Sequence, residues 1–341
     1  MPYDSSRVRR NKDICRELMF KDVPYSHVAA FFPSDKCLDL TLAKAKGIIN
    51  KDTLLYMWEN DCEKAAHILR WFHKNKWPIS VDMGFNLHDD RGEPGDDGEN
   101  ILFTGKAESH NIHYLNAIET DLAFFDFCGE ITDKVARFLR QFDFGDGAII
   151  GFTFSRAIRN NRVYKALGNP YDDEGSEASK VWFDTCNELP TTAKVETSRC
   201  VDTIVLLRAI LNKYNLNILE CIEYHDANPT TGKGCPMVFL KFKVEHRERA
   251  SSIYRRIFDS CFDISGYVGI NGRIPLTAGN ARNRDILFPQ RHNKAEEFLL
   301  AYANMRHHQG KSFSGSRAAI RMWNTRTNAP IVESKSNNYD N

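Results

Sequence analysis

The sequence has no apolar run close to the ~20 residues that cross a bilayer, so no membrane partner is expected. It also has no charge of one sign in excess. Lys and Arg number 46 and Asp and Glu 45, a formal net charge of +1, so global charge points to no polyanion or membrane surface. Its nine cysteines include no Cys-x-x-Cys pair and no His/Cys cluster, so no metal site is expected. The odd count, with a start that is basic (Arg7, Arg9, Arg10, Lys12) but not apolar, implies free thiols in a reducing, cytoplasmic setting. Several catalytic signatures are missing too. There is no Gly-x-Ser-x-Gly elbow, no His-Glu-x-x-His and no kinase set. Gly310-Lys311-Ser312 is not a phosphate loop, because position 305 is Met rather than Gly. The acidic run 89–99 lacks calcium-loop spacing and reads as a solvated loop.

What is present is an α/β grammar. The apolar run Leu122-Ala-Phe-Phe-Asp126 breaks at Gly129, a helical segment follows from Ile131 to Phe144, and a second apolar run covers Ala148 to Phe154. Strand, acidic tip, helix and strand in that order indicate a parallel sheet, in which ligands sit at the carboxyl ends of the strands. Asp126 is therefore the leading catalytic candidate; the plainer alternative is an acid capping the next helix. Upstream, strands are expected at 27–32, 53–58, 79–87 and 100–104, with helices at 38–46 and 63–76. Gly47 and Pro78 are the stops. Downstream, 155–167 reads as helix, 168–190 as a polar insertion and 201–213 as an apolar helix. Residues 217–224 and 236–243 read as an antiparallel pair. Residues 1–26 read as an irregular surface arm, 27–265 as the α/β domain, 266–330 as a basic extension and 331–341 as a disordered tail.

This order resembles the class I S-adenosylmethionine-dependent methyltransferases. The resemblance implies a Rossmann-like, mostly parallel seven-stranded sheet with a reversed last strand, here with a basic helical C-terminal extension. It implies S-adenosylmethionine as cofactor. Glu59, with Asp61 as understudy, would take the ribose hydroxyls, since a carboxylate accepts two hydrogen bonds. Lys106 and Ala107, in Gly105-Lys-Ala-Glu108, would lie near the adenine. The turn after the first strand, Phe32-Pro33-Ser34-Asp35-Lys36-Cys37, would meet the cofactor at Pro33. In that family this turn is glycine-rich; here no glycine comes before Gly47. Either the cofactor is held differently, or the fold is kept without it.

The acceptor signals are of several kinds. Cytosine-C5 methyltransferases use a cysteine in the loop that holds Cys128, but Phe127 stands where proline is usual, and an inert thiol is the better reading. A Lys-Asp-Lys-Glu tetrad, as in ribose 2′-O-methyltransferases, can be assembled from Lys46, Asp126, Lys165 and Glu223. Arg156 and Arg159 follow the fifth strand and suit phosphate. From 271 to 330 there are ten basic residues against three acidic ones. Arg317, Arg321 and Trp323 there combine charge with a stacking ring, which suits nucleic acid. The function expected is methyl transfer to nucleic acid. The alternative is a catalytically inactive, methyltransferase-like protein that binds nucleic acid or serves assembly. The lack of targeting signals suits a viral or mobile-element protein.

Overall fold

The computed structural model describes residues 6–59, 62–82, 100–104, 119–127, 129–155, 177–191, 193, 198–227 and 234–263. The fold is α/β and Rossmann-like, mostly parallel with a reversed last strand. Its strands are β1 (Val28–Phe31), β2 (Leu54–Glu59), β3 (Ile79–Asp82), β4 (Asn100–Thr104), β5 (Thr120–Asp126), β6 (Phe144–Ser155), β7 (Tyr214–Ala227) and β8 (Gly234–His246). The described helices are α1 (Ser6–Met19), α2 (Leu38–Ala45), α3 (Cys62–Asn75), α4 (Asp133–Leu139), α5 (Glu177–Asn187), α6 (Ser198–Ile210) and α7 (Ser252–Cys261).

The chain divides into two compact units. In the larger unit β1, β5 and β6 run parallel, β8 is antiparallel to β6, and β7 is antiparallel to β8. β5 lies between β1 and β6 and is buried on both faces, as its unbroken apolar run requires. In the smaller unit β4 pairs in parallel with both β2 and β3. The described strands number eight, one for each run read as a strand and one more than the seven that the resemblance implies; β3, the outer strand of the smaller unit, is the addition. The 79–87 strand is described only to Asp82.

Local chemistry explains the boundaries. α2 stops where Gly47 takes φ +71, with Gly47 N–H donating to Lys44 O and Ile48 N–H to Ala43 O; this is the left-handed helix stop that glycine favours. α3 stops by the same pair of bonds, Lys76 N–H to His73 O and Trp77 N–H to Phe72 O, but with Lys76 at φ 58. Thr132 caps α4 by accepting from Val135 N–H. Asp126 is therefore not the cap of that helix.

Three sequence expectations are corrected. Within the expected irregular arm 1–26, residues 6–19 form a regular helix. α1 is a helix whose carboxyl end is buried, with Met19 0% and Phe20 2% exposed. Apolar side chains at Cys15, Leu18 and Met19, spaced three and four apart, give it a packing face. The 168–190 insertion carries α5, whose Ser179, Val181 and Thr185 are buried. The segment 131–144 is helical only over α4, and β6 already begins at Phe144.

Candidate active site

Alternation along β5 decides which side chains reach the site. Phe125 and Phe127 pack on Phe138 of α4, with Phe125 also on Phe142. Phe124 points the other way, against Phe20 just past α1. Asp126 shares the face of Phe124 and ends the strand. The parallel register sets Asp126 beside Thr153 of β6, and the Thr153 hydroxyl donates to Asp126 Oδ1. The other oxygen, Oδ2, is 3.3 Å from Lys12 Nζ on α1. Both partners are partly open to solvent, at 27% and 22%.

These residues line a cleft in the larger unit. Its free space of about 280 Å³ includes open solvent at the mouth. Lys12, Arg16, Asp39, Asp126, Thr153 and Tyr224 are among its walls. Lys12 and Arg16 are one helical turn apart on α1, so both face the same way. Arg16 is 9% exposed and its Nη1 donates to Asp13 Oδ1 at 2.6 Å.

The fourth charge, Asp39, organises the turn after β1. Ser34 N–H donates to both Asp39 oxygens at 3.0 and 2.9 Å, and the Ser34 hydroxyl donates to Oδ1 at 2.7 Å. Leu38 N–H donates to the Ser34 oxygen at 3.1 Å. Asp39 is 1% exposed. Burial pushes its carboxyl above the ordinary value, and the Ser34 bonds and the Arg16 charge offset part of that. The turn keeps a left-handed backbone without glycine, at Lys36 (φ 59) and Cys37 (φ 54). Pro33 is buried and Lys36 exposed. Left-handed non-glycine residues are strained and gather where the surrounding structure enforces them. Cys15, also on the cleft wall, is inert: burial, then the Asp126 charge, push its thiol up to about 12.

The sequence-derived candidates separate as follows. Asp126 stands at the strand tip in a cleft. Glu59 ends β2 in the smaller unit. Asp61, Lys106, Ala107, Cys128, Arg156, Arg159, Lys165, Arg317, Arg321 and Trp323 lie outside the described residues. Lys46 pairs with Glu17 at 2.8 Å, and the lysine on Asp126 is Lys12 instead. Sequence reasoning missed Lys12, Arg16, Asp39 and Thr153. The apolar spacing of α1 was the available signal for the first two.

No family model and no curated protein matches the sequence. Among solved structures, TYW2 of P. horikoshii in complex with MeSAdo is similar at 12% identity and a TM-score of 0.35, over 67% of this chain and 61% of that one. An rRNA methylase from Streptococcus thermophilus gives 6% identity and 0.34, over 69% and 97%. SAH-bound methyltransferase PaMTH1 of Podospora anserina gives 13% and 0.33, over 73% and 83%. The chain thus spans about three fifths of the first of these.

Proposed function

We propose that the chain is an S-adenosylmethionine-dependent methyltransferase acting on nucleic acid, with Asp126 at the transfer site. The observation that carries the reading is a carboxylate tip on β5, between parallel β1 and β6, open to a cleft holding two cations and two carboxylates. That donor set fits the zwitterionic amino-acid end of the cofactor: Lys12 and Arg16 suit its carboxylate and Asp126 its ammonium group, while Asp39 holds the Ser34 turn beside them. When bound, the cofactor supplies the electrophilic methyl group. The protein's own part is positioning, which such a displacement needs more than acid-base help. Thr153 and Lys12 fix the two oxygens of Asp126, so the carboxylate holds one orientation while an acceptor is aligned. Glu59 and Asp61 are assigned to the ribose, and Lys106 and Ala107 to the adenine. Arg156, Arg159, Arg317, Arg321 and Trp323 are assigned to the nucleic acid.

A second reading, a non-catalytic nucleic-acid-binding relative, is favoured by the strained, glycine-free turn at Lys36 and Cys37. Methyl transfer from labelled S-adenosylmethionine into RNA or DNA separates the two. The expected result is incorporation that Asp126→Ala lowers about a hundredfold. Salt-dependent nucleic-acid binding without incorporation would establish the second reading instead.

A further inference from the structure

We infer that Lys241 is a positioning residue, a latch that fixes α1 across the carboxyl rim of the sheet and thereby sets Lys12 on Asp126. Its effect on methyl transfer rests on the function proposed above; its effect on α1 does not.

The registers place one row of residues side by side across the larger unit. Phe124 of β5 pairs with Gly151 of β6, Gly151 with Lys241 of β8, and Lys241 with Glu220 of β7. Paired residues point to the same face, and this is the face on which Phe124 meets Phe20. The carboxyl end of α1 lies on this row. A side chain at Gly151 would run into the Met19 sulfur. Beside it, Lys241 Nζ donates to Leu18 O at 3.1 Å and to Lys21 O at 2.7 Å. Leu18 O belongs to the last turn of α1, where the aligned peptide dipoles favour a cation, and Lys21 O to the turn just after it. The next row along the sheet is Asp126 and Thr153.

A lysine 4% exposed in the middle of a strand is unusual. Burial lowers its proton affinity, while the charges of Glu220 and Asp22 raise it. What the buried ammonium gains is these two carbonyls. By contrast, the Lys12–Asp126 pair is partly open to solvent, at 27% and 22%, and holds a helix only weakly. The order of cause therefore runs from Lys241 to α1, and from α1 to Lys12 and Arg16 on the cleft wall.

The test uses Cys15, which is 3% exposed on α1, as an internal reporter on the full chain. Iodoacetamide labelling is followed peptide by peptide, with Cys37, 1% exposed beside α2, as the control. In Lys241→Met, Cys15 should label at least about tenfold faster than in the unsubstituted chain, because α1 opens locally, while Cys37 keeps its rate. Lys241→Gln keeps one donor, disturbs folding less, and should fall between. Lys12→Ala should leave Cys15 protected. In the transfer assay, losses from Lys241→Met and Lys12→Ala should fail to add, the double variant being no worse than the poorer single one. Unchanged Cys15 labelling in both Lys241 variants would overturn the latch. So would equal exposure by Lys12→Ala, or transfer losses that add. An unsubstituted chain that transfers no methyl group, with Cys15 responding as stated, removes the transfer reading and leaves the latch standing.

Discussion

Asp39 is a carboxylate held almost wholly out of water, and its pH dependence follows from that. Its folded proton affinity lies above the unfolded one, chiefly through burial. The native state therefore binds the proton more tightly. The stability this contributes is fully present below the ordinary value of 3.8 and is lost as pH rises through the higher folded value. Asp39→Asn keeps an oxygen to accept from Ser34 and removes the titration. Urea unfolding across this window should show a flatter stability profile for the variant, with neutral-pH stability at or above that of the unsubstituted chain. A profile as steep as before would mean that another group is responsible. None of this was legible in Phe32-Pro-Ser-Asp-Lys-Cys. The missing glycines left open only whether the cofactor is held differently or the fold is kept without it, whereas the fold holds the turn with Ser34 and Asp39 and tolerates left-handed Lys36 and Cys37.

At the scale of elements, sequence pattern worked where one segment settles its own fate. α3 begins and ends within a residue of its expected bounds, and Gly47 stops α2 as its type suggests. The β7–β8 pair is antiparallel as its Pro, Asn and Gly joint implied. Pattern failed where a distant partner decides. Lys12 meets Asp126 across 114 positions, and Lys241, in Phe239-Leu-Lys-Phe242, looks like the solvent-facing member of an alternating strand. It is buried because α1 lies on it. The seat of α1 also depends on Gly151, where Met19 takes the space a side chain would need. Gly151→Ala should crowd Met19 and Phe124 and destabilise the fold by about 1–3 kcal/mol, the usual range for overpacking. Chemical denaturation with an unchanged slope reads this directly. A neutral substitution would show that α1 sits more loosely than the structure indicates.

At the scale of the molecule, the α/β class and the reversed final strand were readable because the order of buried runs and helices limits the topologies open to a chain. The additional strand β3 was read as a strand, but nothing in its residues marked it as an addition to seven. The tip of β5 was legible because a four-residue apolar run ending in an acid has few other meanings in a parallel sheet. Its neighbours were not, since Thr153 reaches Asp126 only through the strand register and Lys12 only through α1. No helix among the described residues is long and apolar enough to cross a membrane. The central claim is that this rim binds S-adenosylmethionine, and titration calorimetry with that cofactor tests it most directly. The account predicts micromolar binding that Lys12→Ala weakens at least about tenfold, or 1.4 kcal/mol. No heat and no thermal shift at millimolar cofactor would contradict it.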